Sequence, residues 1–218
     1  MKILSLVLLG IFAALPGWAS EKSFEGRIFA GGVSVKPAPV NDELTANDIK
    51  KISTTLMLGL EATGFVTSWA NLGLRYIKNQ VSRDEDPSDP QTSYKVFTSQ
   101  DIFMGMARFP LVRSDFLHVD AFGGVGGAQT TFKLETANQI GELSKGPFST
   151  LVTAYGASAA IGFRKVFLFV EGGFLNDKVD GFKRSGTLNN KIQTVDLSGP
   201  YALVGFIFAD SANIGAKK

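Results

Sequence analysis

Apolar residues recur at a period of two in eight segments of this chain, and the connections between them alternate between short and long. The pattern predicts strands over Phe24–Lys36, Thr54–Gly64, Trp69–Gln80, Tyr94–Phe109, Phe116–Lys133, Ser149–Phe163, Val166–Asn176 and Thr194–Phe208. In the second, Leu56, Leu58, Leu60 and Ala62 share one face, with Thr55, Met57, Gly59 and Glu61 on the other. The third sets Ala70, Leu72, Leu74 and Tyr76 against Asn71, Gly73 and Arg75. The fifth sets Leu117, Val119, Ala121 and Val125 against His118, Asp120 and Phe122, and the seventh sets Val166, Leu168 and Val170 against Phe167, Phe169 and Glu171. Side chains alternate between faces only along an extended strand, so no helix keeps these sets apart. The links after the second, fourth and sixth segments are tight, whereas those after the first, third, fifth and seventh are long and polar. An even number of antiparallel strands with short turns at one rim and long loops at the other is the layout of a transmembrane barrel.

A soluble sandwich would alternate too, so two further features decide for the membrane. The aliphatic face carries no charge in the middle of these four strands. The segments also reach the roughly 9–11 residues that cross hydrocarbon at barrel tilt. Hydrophobic residues make up 44% of the chain, yet beyond Leu15 no run approaches the ~18 apolar residues of a helical span. In the fourth segment Arg108 shares a face with Ile102, Met104 and Met106, which assigns Phe103, Ala107 and Phe109 to lipid.

Residues 1–19 read as a cleaved signal peptide. Lys2 supplies the positive start, Ile3 to Leu15 the apolar stretch, and Gly17-Trp18-Ala19 the small residues of a cleavage site. The mature chain then begins at Ser20, with a barrel domain over 20–208 and a short periplasmic tail over 209–218. There is no cysteine, which excludes a lipoprotein anchor, a disulfide framework and thiolate metal sites. Loss of Lys2 takes the formal charge from +2 to +1, so no strong field draws nucleic acid.

Many of the glycines fall inside strands, among them Gly31-Gly32, Gly123-Gly124, Gly126-Gly127 and Gly172-Gly173. Sharp curvature and a crowded interior account for them. Gly123 to Gly127 is not a phosphate-cradling loop, since no Lys-Ser/Thr and no helix pattern follow. Asn41 to Lys51 has the composition of a helical turn capped by Asn41 or Asp42. The acidic stretch Asp84 to Asp89 lacks the ordered spacing of a calcium loop and reads as solvated. Lys178, Lys183, Arg184 and Lys191 make the seventh connection basic, suited to lipopolysaccharide phosphates or simply to water.

Strand parity turns Glu61, Arg75, Asp120 and Glu171 into the lumen, together with Arg27. An eight-stranded barrel is just wide enough for side chains to fill. Paired charges filling that space are the plainer expectation, and a narrow ion path or proton relay is the functional alternative. Trp69, Tyr76, Tyr94, Phe163, Phe167 and Phe174 lie near strand ends, where membrane interfaces favour aromatic rings.

The chain resembles the small eight-stranded outer-membrane barrels, the OmpA-, OmpX- and OmpW-like group. The resemblance rests on strand spacing from Ser20 to Phe208 and on Asn71-Leu72-Gly73-Leu74-Arg75-Tyr76, Val170-Glu171-Gly172-Gly173-Phe174 and Tyr201 to Phe208. It implies a monomeric all-β, up-and-down barrel in the outer membrane of a Gram-negative envelope, with both termini in the periplasm. It further implies partners in outer-membrane lipid, lipopolysaccharide and the assembly machinery, which would read Tyr201, Leu203, Phe206 and Phe208 as a terminal signal. Chains of this group commonly end at that aromatic residue, whereas this one continues for ten more. Some outer-membrane barrels modify lipid A with a His and a Ser near the outer rim. Here the one histidine, His118, stands beside a short turn with Ser114 as its nearby hydroxyl, so neither a catalytic centre nor a cofactor is expected. The expected role is non-enzymatic: envelope support, surface contact or porin-like passage of small solutes, the last implied by the OmpW-like resemblance. A soluble lipocalin-like barrel around a hydrophobic ligand is the alternative if the charged face points outward.

Overall fold

The computed structural model describes residues 24–46, 51–65, 69–85, 94–136, 140–163, 165–186 and 192–209. The leader at 1–19, the tail beyond Ala209 and most of the acidic stretch, from Asp86 onward, lie outside the described residues. Eight long strands form the wall: β1 (Phe24–Ser34), β2 (Thr54–Phe65), β3 (Asn71–Glu85), β4 (Tyr94–Arg113), β5 (Leu117–Thr136), β6 (Ile140–Phe163), β7 (Val166–Asp180) and β10 (Gly199–Ala209). Each pairs antiparallel with its neighbours, and β10 closes the ring between β7 and β1. Glu25 sits opposite Ala209, so β1 begins and β10 ends at the rim of the short turns.

The wall is inverted relative to a soluble protein. Leu58, Leu74 and Leu168 are 42%, 48% and 46% exposed, whereas Glu61 and Arg75 are each 2% exposed. Ile28, Leu60, Leu72, Val125, Val170, Val204 and Phe206 continue the outward aliphatic surface around the barrel. A water-soluble monomer rarely shows more than a few hundred Å² of contiguous apolar surface. This belt encircles the molecule, and the fold is therefore a transmembrane barrel rather than a lipocalin-like one. In β4, Ile102, Met104, Met106 and Arg108 are buried and Phe109 is exposed, as the position of Arg108 required.

Several boundaries differ from the sequence reading. β6 starts at Ile140, not Ser149, because its pairing with β5 resumes beyond an outward bulge. Thr150 faces Ala128 and Lys145 faces Thr130, which leaves residues 146–149 looped out. Phe148 sits at that bulge with φ of 55°, 68% exposed, its ring 5.8 Å from Phe103. Gly127 lies directly beneath, and a Cβ there would come within 2.8 Å of the Phe148 Cα. The last segment splits into β9 (Thr194–Asp196) and β10 without a change of register: Asp196 faces Lys178 and Gly199 faces Leu175. The ladder is interrupted where the Asp177 N–H donates to the Ser198 hydroxyl instead of a backbone carbonyl. A short extra strand, β8 (Lys183–Gly186), lines the end of β6.

The helix α1 spans Ala38–Ala46, starting three residues before Asn41, and the Pro37 carbonyl closes its first turn by accepting from the Asn41 N–H at 2.8 Å. Asn41 is consequently not a cap. Its side chain instead grips the returning chain, accepting from the Ile52 N–H at 2.8 Å and donating to the Ile52 carbonyl at 2.9 Å. Val40 and Leu44, one turn apart, bury the same face of α1 with Val35, Ile52, Ile192, Val195 and Leu197, roofing the long-loop rim.

A charge-filled lumen as the candidate functional site

The interior charges divide into two levels rather than one. The central tier holds Glu61 and Arg75, registered opposite each other on β2 and β3, with Arg108 from β4 and Glu171 from β7. Arg75 donates from Nε to Glu61 Oε2 at 2.6 Å and grips Glu171 with both terminal nitrogens, at 2.8 and 2.9 Å. Arg108 donates to both carboxylates as well, from Nε to Glu61 Oε1 and from Nη2 to Glu171 Oε2 at 2.7 Å. Tyr201 adds its hydroxyl to Glu171 at 3.1 Å, and Ser158 accepts from Arg108 at 3.2 Å. The guanidiniums lie over aromatic rings: Arg75 is 5.0 Å from the Phe29 centroid and Arg108 5.0 Å from that of Phe122. Two arginines and two glutamates make the tier neutral.

The lower tier lies at the short-turn rim. Arg27 bridges Glu25 at 2.9 Å and Asp120 at 3.0 Å. Arg113 completes a ring by binding the same two carboxylates at 2.7 and 3.0 Å. It also donates to His118 Nδ1 at 2.7 Å, while the imidazole stacks on Phe167 at 4.1 Å. This tier is neutral as well.

Arg27, Glu61, Arg75, Asp120 and Glu171 thus all point inward, but Arg27 and Asp120 do not meet the other three in direct contact. Three members escaped the sequence reading. Arg108 carried the parity signal and Glu25 stands two residues from Arg27, so both were within reach of the same rule. Arg113 was not. Strict alternation from Arg108 sends residue 113 outward, but the register skips Leu111, and that bulge turns Arg113 inward. The Ser114 hydroxyl serves its own turn, accepting from the Leu117 N–H at 3.0 Å and donating to the Leu117 carbonyl at 3.2 Å, while His118 Nδ1 is engaged by Arg113.

Aromatic residues band both ends of the apolar belt. Trp69 stacks on Phe109 at 6.2 Å near the short-turn rim, while Tyr155 stacks on Phe174 at 6.1 Å and Tyr76 meets Phe103 at 5.0 Å nearer the loops. Phe167 is the exception. It is buried in the lumen against His118, because β7 puts its odd-numbered residues from 167 inside. The side chain of Tyr94 lies outside the description. Of the terminal-strand residues, Tyr201 and Leu203 face the lumen and Phe206 and Phe208 face outward.

The fold is that of the small eight-stranded membrane barrels. Solved structures of similar shape include Ail, the attachment invasion locus protein of Yersinia pestis, at 12% identity and a TM-score of 0.49, covering 87% of this chain and 99% of that one. The outer membrane protein OprG of Pseudomonas aeruginosa matches at 10% identity and a TM-score of 0.44, covering 87% and 95%. The N-terminal barrel domain of OprF from the same organism matches at 13% and 0.43, covering 86% and 97%. No family model matches the chain, and no curated protein matches it.

Proposed function

We propose that this chain is a non-enzymatic outer-membrane barrel of a Gram-negative envelope, exported by its leader, and that it acts as a plugged scaffold rather than a pore. The observation that carries the reading is the central tier. Arg75, Arg108, Glu61 and Glu171 have side chains wholly cut off from solvent and linked across the lumen by charge-assisted hydrogen bonds. Phe29, Phe122, Phe169 and Ile77 fill the space around them. A solute path would have to break several such contacts at once, each costly in a low-dielectric interior. Function then belongs to the long-loop rim, where β4, β5 and β6 run to 20, 20 and 24 residues, well beyond the length a bilayer requires. Surface contact is the role this supports. Lipopolysaccharide beside the basic seventh connection and assembly through the Phe206 and Phe208 end of β10 belong to the same proposal.

Planar-bilayer recording tests it. Folded protein, verified by a mobility difference between boiled and unboiled samples, is expected to give no steady conductance in 1 M salt, a concentration of about the order that leaves surface charge fully screened. Stable single-channel steps would overturn the scaffold reading in favour of solute passage.

A further inference from the structure

Above the two neutral tiers the lumen buries a further carboxyl group, and among the described residues no salt bridge reaches it. Asp177, on β7, is fully buried, and neither carboxylate oxygen receives a hydrogen bond. The amide of Gln100, on β4, comes near this carboxylate without closing a hydrogen bond of good geometry. One Nε2 hydrogen of Gln100 donates to Thr130 at 3.0 Å and its Oε1 lies 3.5 Å from Asn79 Nδ2, which leaves the second Nε2 hydrogen for the side of Asp177. Asn79, Gln100 and Thr130 are neighbours in register on β3, β4 and β5, and they form an oxygen-rich arc opposite Asp177. Asn79 Oδ1 and the hydroxyls of Thr98 and Thr150 are also buried without a partner. Thr98 stands one inward position beyond Gln100, and Thr150 one beyond Val152, the registered partner of Asp177. The nearby charge is a second carboxylate, Asp196, whose Oδ1 accepts from the Ser198 N–H at 2.9 Å.

We propose that this upper chamber is a binding site for a small monovalent cation of the sodium class, with Asp177 as its anionic ligand. Carboxylate, amide and hydroxyl oxygens are the donors hard cations select, and no nitrogen or sulfur ligand competes among the described residues named above. Asp196 is half-buried on the face of β9 opposite the inward Val195, so Asp177 is the carboxylate inside the chamber, and one negative charge with neutral oxygens matches a single positive charge better than two. Beneath lie Ile77, Ile102 and Leu175, and above lie Val179, Val195 and the α1 roof, so a bound ion is screened from bulk water. Such a cation would tie β7 to β4 across the barrel, much as Arg75 and Arg108 tie β7 to β2, β3 and β4 below.

Thermal unfolding of the detergent-folded protein at pH 8 provides the test. Sodium chloride is titrated against choline chloride at constant ionic strength. A saturable, sodium-specific rise in Tm is expected, about 4 °C when sodium reaches ten times its Kd, and Asp177→Asn should abolish it. Equal Tm values in sodium and choline for the unaltered chain would overturn the proposal and leave the carboxyl group protonated. That comparison decides even if Asp177→Asn does not fold. A sodium effect that persists undiminished in a folded Asp177→Asn variant would also overturn it, by moving the ion to another part of the molecule.

Discussion

Arg75 and Arg108 do similar electrostatic work, and the loss of either should be felt through the charge left behind. Each binds both Glu61 and Glu171, so removing one leaves a net negative tier shut off from water. Breaking a buried ionic cluster from one side costs about 3–5 kcal/mol, mostly from the orphaned partner rather than from the contact itself. Arg75→Ala is therefore expected to lower stability by about that amount, measured by urea unfolding in lipid vesicles with tryptophan fluorescence. Adding Glu171→Gln to Arg75→Ala restores neutrality and should recover part of the loss, because residues in one network do not contribute additively. An Arg75→Ala protein with an unchanged urea midpoint would mean that the tier is not the brace it looks like. Parity alone had already placed Arg75, Glu61 and Glu171 inside. That Arg108 is the second brace could be read from its face in β4, whereas Arg113 depended on a bulge that leaves no mark in the alternation.

At the level of the strands, the glycines do different things at positions that look alike in the sequence. A Cβ on Gly126 would run into the carbonyl oxygen of Phe103 and come within 2.6 Å of the Met104 Cα, both backbone atoms of β4 that cannot rotate away. Gly123, three residues earlier in the same strand, has nothing within 4 Å of the same point. Gly126→Ala should therefore force β4 and β5 apart and cost about 1–3 kcal/mol as overpacking does, while Gly123→Ala should stay within about 0.5 kcal/mol. The same urea titration separates the two, and equal losses would remove close strand approach as the reason for Gly126. This contrast marks the limit of what the chain disclosed in advance. Period-two alternation located all eight wall strands and the facing of β4, because burial on one side repeats along the whole strand. The loop-out at 146–149, the break at Leu197-Ser198 and the early start of α1 came from single hydrogen bonds and local crowding, which repeat nowhere and so leave no period to detect.

For the whole molecule the governing fact is which side of the wall meets hydrocarbon, and that can be examined with one residue type at two heights. Leu74 lies in the outward aliphatic belt between Leu72 and Tyr76. Gln129 is also outward and exposed, but it faces Asp101, whose carboxylate accepts from Lys78 at 2.9 Å and from Tyr76 at 2.5 Å. That ion pair on the outer wall marks where the belt gives way to a polar zone. If the belt sits in a bilayer, an arginine at Leu74 must be carried into hydrocarbon or snorkel out of it, at about 2–4 kcal/mol near the midplane. An arginine at Gln129 finds Asp101 and headgroup water, and should cost at most about 1 kcal/mol near the interface. Reversible folding into lipid vesicles should accordingly be impaired by Leu74→Arg and left nearly unchanged by Gln129→Arg. A barrel whose outer wall met water would show the opposite bias, since replacing an exposed leucine by arginine there relieves an apolar surface. Equal behaviour of the two variants would therefore contradict the membrane-facing belt itself, independently of whether the lumen conducts.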